Sequence, residues 1–151
     1  MRHVSLAMTD VAPGDPRMAA DIGPLIRVLR PALDEASFER FARESHAQGL
    51  VFTVAYDGAR PLGVATHRVL ATSRGRVFFV DDLVTDPAHR GGGVGARLVD
   101  HLGARAHAAG CERIELDSGV TNHGAHRFYH ARRMNVAALH FTLDVAGDRA
   151  P

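Results

Sequence analysis

Apolar positions along the chain change their spacing several times, and each change predicts an element. Val94, Leu98, Leu102, Ala106 and Ala109 lie about one helical turn apart, the pattern of a helix with one buried stripe, and Gly110 ends it. Met18, Ile22, Leu25, Ile26 and Leu29 repeat in the same way, with a kink or split expected at Gly23-Pro24. Ser37 to Gln48 carries Phe38, Phe41 and Ala42 on one side, and Gly49 supplies its stop. Gly124 to Arg132 reads as a short helix. Elsewhere the pattern is that of strands. A weak alternation predicts a first strand over Arg2 to Met8, followed by turn residues from Thr9 to Pro16. Leu50 to Tyr56 and Leu62 to Leu70 flank the hairpin signal Asp57-Gly58. Arg76 to Thr85 holds Val77, Phe78, Phe79, Val80, Leu83 and Val84, an apolar run typical of a strand covered on both faces, interrupted by Asp81 and Asp82. Arg113 to Asp117 and Val136 to Val145 complete the strands. This order predicts an α/β fold of the α+β type, with a mixed, mostly antiparallel sheet of about six to seven strands and helices on both faces.

Composition narrows the class. A chain of 151 residues with 46% hydrophobic content suits one domain, expected over residues 1–151. Eighteen basic residues against seventeen acidic ones give a formal charge of +1, so no overall field draws the chain to nucleic acid or anionic lipid. No stretch approaches the roughly 18 apolar residues of a membrane span, and the first ten residues hold no long apolar run. A cytoplasmic protein is expected. The single cysteine, Cys111, excludes an internal disulfide and reads as a small apolar residue near a strand start.

The most informative segment is Arg90-Gly91-Gly92-Gly93-Val94-Gly95-Ala96, which runs straight into a helix. A helix start presents backbone N–H groups at the positive end of the helix dipole, and glycines let a ligand approach the main chain closely. Arg90 adds a charged donor, so the loop suits a phosphate. The stretch also satisfies G-x-G-x-x-A with Asp117 about twenty residues on, as a dinucleotide fingerprint asks. That fingerprint sits directly after a strand of a parallel βαβ unit, whereas here Asp86 to Arg90 intervene and the preceding strands form a hairpin. A Walker loop fails, because Gly95-Ala96-Arg97 replaces Gly-Lys-Ser/Thr.

These residues resemble the GNAT superfamily of N-acetyltransferases, whose motif is Arg/Gln-x-x-Gly-x-Gly/Ala after a hydrophobic fourth strand. Arg90, Gly93 and Gly95 match it, Asp82-Leu83-Val84-Thr85-Asp86-Pro87 looks like the strand end before it, and Asn122-x-x-Ala125-x-x-Phe128-Tyr129 looks like the second motif. Together these cover about half of the chain. The resemblance implies a GNAT-like fold and acetyl-CoA as co-substrate. It implies that the main chain of Leu83, Val84 and Thr85 pairs with the pantetheine arm, that Arg90, Gly91, Gly92, Gly93, Val94, Gly95 and Ala96 wrap the pyrophosphate, and that Asn122 touches the arm. As a helix start, Asn122 is equally explained by capping. The chain departs from the family at Arg133-Met134, where Gly-Phe is usual.

Acetyl transfer to an amine sets its own demands. An alkyl ammonium of pKa about 10.4 is neutral in roughly one molecule per few thousand at pH 7, so direct attack needs a route for proton removal, which a carboxylate or a water held by one can provide. Asp81 and Asp82 are the candidates; by alternation they point to opposite faces of the sheet. Family resemblance places Asp81 where several amine acetylators carry Glu. It also makes Tyr129 the general acid for the departing thiolate, and a phenol of pKa about 10 is protonated at neutral pH. His123, His126 and His130 raise a metal reading, since the last two are four apart, but no HExxH acid accompanies them, and no metal is expected. The expected activity is therefore acetyl transfer from acetyl-CoA to a primary amine of a small molecule or peptide, without nucleic acid or membrane. The alternative is a non-catalytic acyl-CoA sensor. Related folds often pair through terminal strands, which makes Val136 to Val145, with His140 and Phe141, the place expected for a homodimer contact.

Overall fold

The computed structural model describes residues 5–147, and its contacts divide into two compact units, one through Leu116 and one from Asp117. The first unit is built on a mixed five-stranded sheet in the order β1-β2-β3-β4-β5. The strands are β1 (Ala7–Val11), β2 (Val51–Asp57), β3 (Arg60–Thr72), β4 (Gly75–Thr85) and β5 (Arg113–Leu116). The first four pair antiparallel and β5 joins β4 in parallel. Helices α1 (Gly23–Leu29), α2 (Glu35–Ala47) and α3 (Val94–Ala108) complete this unit, and α4 (His123–Ala131) belongs to the second.

Two apolar clusters show how the sheet is covered. Ile22, Leu25, Ile26, Phe38 and Ala42 from the α1–α2 region pack with Phe52, Val54, Val64 and Val84 on one face. Val94, Leu98, Leu102 and Ala106 of α3 pack with Ala55, Leu62, Ala65, Phe78 and Val80 on the other. Leu98 and Leu102 are fully buried, so the stripe read from the sequence is the one that docks. Cys111 packs against the α3 cluster, as its small apolar character suggested.

Gly23-Pro24 splits its segment as expected: Met18–Ile22 winds as one π-helical stretch and α1 follows with proline in its first turn. Asp34 starts α2 by accepting a hydrogen bond from Ser37 N at 2.7 Å. The hairpin turn lies at Asp57-Gly58, where Gly58 has φ +61° and Asp57 pairs with Arg60.

Three expectations need correction. The first strand runs over Ala7–Val11, placed by its pairing from Ala7↔Tyr56 to Val11↔Phe52, and takes in residues that sequence pattern assigned to a turn. Of the expected segment, Arg2, His3 and Val4 lie outside the described residues. Val136 to Val145 forms no strand: Val136, Leu139, Phe141, Leu143 and Val145 are exposed, so the alternation exists without a ladder to satisfy its backbone. The sheet therefore has five strands among the described residues, where six to seven were expected. The third correction concerns β4. Thr66 pairs with Asp82 while His67 pairs with Val80, so Asp81 is the extra residue of a β-bulge.

Candidate active site

The bulge decides which way the two carboxylates face. Val64, Thr66 and Arg68 alternate along β3 on the side covered by α1 and α2, where Val64 is part of the core and Arg68 lines a cleft with residues of α2. Thr66 Oγ1 donates to Asp82 at 2.7 Å, and Arg68 donates to both oxygens of Asp81 through Nε at 3.1 Å and Nη2 at 3.0 Å. Asp81 and Asp82 therefore face the same side, not opposite sides, because the extra residue cancels one step of alternation. Arg30, at the end of α1, brings Nη2 to 3.9 Å from Asp82.

The bulge also stands where β4 loses its neighbour. The parallel ladder with β5 runs from Val77↔Arg113 to Val80↔Leu116 and stops, whereas β4 stays paired with β3 as far as Thr85. Among the described strands of the first unit, none pairs with the β5 side of β4 beyond Val80, which leaves there a strand edge carrying the main-chain groups of Leu83, Val84 and Thr85. Such an edge accepts an extended ligand as an added strand.

A short 3₁₀ turn, Pro87–His89, leads from this edge to the glycine loop, with Asp86 accepting from Ala88 N at 3.0 Å. Gly91 and Gly93 hold φ of +80° and +83°, and a Cβ at either would meet nothing within 4 Å. Their glycines are thus required by backbone angle, and the space above them is open. Gly93 is the N-cap residue of α3 and no side chain caps that helix. Gly91, Gly92 and Gly93 are exposed, Val94 is buried, and Gly95 and Ala96 are half-buried. An exposed helix start behind two left-handed glycines, with Arg90 exposed beside it, fits an anionic pyrophosphate.

Gly63, which sequence reading passed over, fastens the loop to the strand edge. A Cβ there would lie 3.0 Å from Val84 O, 3.0 Å from Val94 Cγ1 and 3.1 Å from Leu98 Cδ1. The first turn of α3 thereby comes down onto β3 and β4 next to the open edge. Glycine inside a strand pattern was the signal for such a close approach. Arg68 and Thr66 were also missed, since their partners follow from the ladder.

The second unit carries the other predicted residues. Asn122 Oδ1 accepts from Ala125 N at 3.3 Å and so caps α4. Tyr129 is half-buried, packs edge-on to Phe128 at 5.4 Å, and burial pushes its phenol above the usual value. Arg132 lies over the Phe128 ring at 5.6 Å. His126 Nε2 meets Gly119 O at 2.8 Å and His130 Nδ1 meets Met134 O at 3.2 Å. Among the described residues, no group of three or more His, Cys, Asp or Glu is placed to hold a metal.

A strand edge, a bulge bearing carboxylates and a glycine-loop helix start define an acyl-coenzyme A transferase fold. The chain belongs to the acetyltransferase (GNAT) family, whose model matches residues 20–134. It is 31% identical over 113 residues to the uncharacterized N-acetyltransferase YhdJ of Bacillus subtilis, a match covering 73% of this chain and 79% of that one. Its fold is similar to that of a putative acetyltransferase from Agrobacterium tumefaciens, with TM-score 0.76, 26% identity and coverage of 91% and 99% of the two chains. It is also similar to the aminoglycoside N-acetyltransferase AAC(6')-Iy solved in complex with CoA, with TM-score 0.79, 16% identity and coverage of 96% and 98%. The protein is an acetyl-CoA-dependent N-acetyltransferase acting on an amine acceptor.

Proposed function

We propose that the protein transfers acetyl from acetyl-CoA to a primary amine by direct attack, with both substrates bound together. The observation that carries this reading is the β4 edge from Leu83 to Thr85 lying next to the glycine-led start of α3. Leu83, Val84 and Thr85 hold the pantetheine arm through their main chains. Arg90, Gly91, Gly92, Gly93, Val94, Gly95 and Ala96 hold the pyrophosphate by backbone N–H groups and one guanidinium. Asn122 contacts the arm in addition to capping α4.

The amine nitrogen attacks the thioester carbonyl carbon, the C–S bond breaks, and the sulfur leaves as thiolate. Asp82, or Asp81, takes the ammonium proton directly or through a water. Tyr129 gives its phenolic proton to the sulfur, and its raised pKa keeps that proton in place at neutral pH. No step of the transfer uses a metal. The acceptor is a small molecule or a peptide amine, the compartment is the cytoplasm, and nucleic acid and membrane take no part. A homodimer through Val136 to Val145 is consistent with the exposure of that segment.

Tyr129→Phe tests the assignment. Turnover is expected to fall about a hundredfold or more, within the range for general acid catalysis, while the Kd for coenzyme A changes little. Unchanged turnover would remove Tyr129 from its role, whereas coenzyme A binding without turnover of any amine would favour an acyl-CoA sensor.

A further inference from the structure

The face that receives Asp81 and Asp82 also holds a cleft of 340 Å³ lined by Arg40, Phe41, Glu44 and Gln48 of the α2 region and by Arg68 of β3. That volume is of the order used by small-molecule sites. Arg68 belongs both to the cleft wall and to the fork on Asp81, so one side chain links the cleft to that carboxylate. The charges around them balance. Arg30, Arg40 and Arg68 stand with Glu44, Asp81 and Asp82, and the pairing is uneven in space: the two aspartates sit at the strand edge, and Arg40 lies on α2, where its Nη2 donates to Ser37 Oγ at 3.0 Å. A guanidinium has five N–H donors, and the fork on Asp81 uses two of those on Arg68.

Resting on the acetyl-transfer reading, we propose that this cleft selects an acceptor carrying an anionic group, carboxylate or phosphate, beside its amine. The ammonium end goes to the strand edge, where Asp82, fixed by Thr66, faces it. The anionic end goes to Arg40 and the remaining donors of Arg68, geometry that suits planar carboxylate and phosphate oxygens. A polycationic amine is disfavoured: its further ammonium groups would meet the guanidinia of Arg40 and Arg68, against which the lining sets one carboxylate, Glu44. The fold likeness to an aminoglycoside acetyltransferase does not extend to this charge pattern as an expectation, because side chains and not the fold choose the acceptor.

Thiol release from acetyl-CoA is measured with matched pairs: alanine against ethylamine, phenylalanine against phenethylamine, lysine against cadaverine, and O-phosphoethanolamine against ethanolamine. The anionic member of at least one pair is expected to have the higher kcat/KM by about tenfold or more, the discrimination supplied by a hydrogen bond to a charged group that only one member makes. Arg40→Gln and Arg68→Gln are expected to bring that ratio toward one. Equal or better rates with every decarboxylated or unphosphorylated member, or a ratio untouched in both variants, would overturn the inference while leaving acetyl transfer standing. No thiol release with any amine, from protein that binds coenzyme A, would remove the acetyl-transfer reading and this inference together.

Discussion

Single residues show where this chain departs from local backbone preference. Three helices end alike. Gly49 and Gly110 adopt φ of +95° and +71° after α2 and α3, and each helix closes with the following amide reaching back to a carbonyl of the last turn: Leu50 N to Ser45 O at 2.9 Å, and Cys111 N to Ala106 O at 2.9 Å. After α4 the same closure is made by Met134 N to Tyr129 O at 3.0 Å, but the left-handed residue is Arg133, at φ +64°. This is the position where the sequence departs from the family's usual glycine. An L-residue with a Cβ pays about 1–2 kcal/mol there. Arg133→Gly is therefore expected to stabilise the protein by ~1 kcal/mol, part of the strain being offset by the greater freedom of glycine in the unfolded chain. Urea unfolding checks it, and a lower midpoint would show that the Arg133 side chain contributes more than its backbone costs.

Elements matter to this site through the approach of α3 to β3 and β4. Gly63, by lacking a Cβ, leaves room for Val94 and Leu98 to sit against the strand carrying Val84. Gly63→Ala puts a methyl group 3.0 Å from a backbone oxygen, which cannot yield as a flexible side chain can. The first turn of α3 must lift, at an overpacking cost of about 1–3 kcal/mol. Coenzyme A is expected to bind about tenfold more weakly, measured by calorimetry, since the loop and the strand edge no longer share their spacing. Unchanged affinity would separate the α3 start from the coenzyme site. The pattern of elements was legible in sequence because each long helix buries one stripe and each inner strand one apolar run. The bulge was not. Asp81 is extra only relative to the residues opposite it on β3, and a ladder register is a property of two strands, so alternation along β4 alone assigned the carboxylates to opposite faces. For the same reason Val136 to Val145 read as a strand: its period is that of a strand, but pairing decides, and its apolar residues stand exposed. The glycine loop was legible because its chemistry is local, held in backbone angles and a helix start.

Across the first unit as a whole, a polar network that runs from buried Thr53 and His67 out to Asp10 and Arg105 ties β1, β2, β3 and α3 together. Thr53 Oγ1 donates to Asp10 at 2.7 Å and lies 2.8 Å from His67 Nε2, while Arg105 Nη1 reaches Asp10 at 2.7 Å. His67 is 2% exposed and stacks on Phe78 at 4.8 Å. Burial, and then the neighbouring Arg105, lower its pKa to about 4. Burial opposes ionisation of Asp10, but the hydrogen bonds from Arg105 and Thr53 prevail and hold its pKa below the usual value. The consequence for stability has a definite sign. Between pH 6.5 and 4 the unfolded chain binds a proton at His67 that the folded one refuses, so stability present above pH 6.5 is lost as pH falls. The loss is about 3 kcal/mol across that window at 1.36 kcal/mol per pH unit. Unfolding midpoints measured over this range are expected to fall, with a shallower slope in His67→Gln; identical slopes would assign the pH dependence to other groups.

The defining step of this protein's chemistry is acetyl leaving coenzyme A for an amine. Thiol release from acetyl-CoA across a broad panel of amines measures that step directly. Release that saturates with both acetyl-CoA and one or more primary amines is the predicted result. Tight coenzyme A binding with no release from any amine would contradict it.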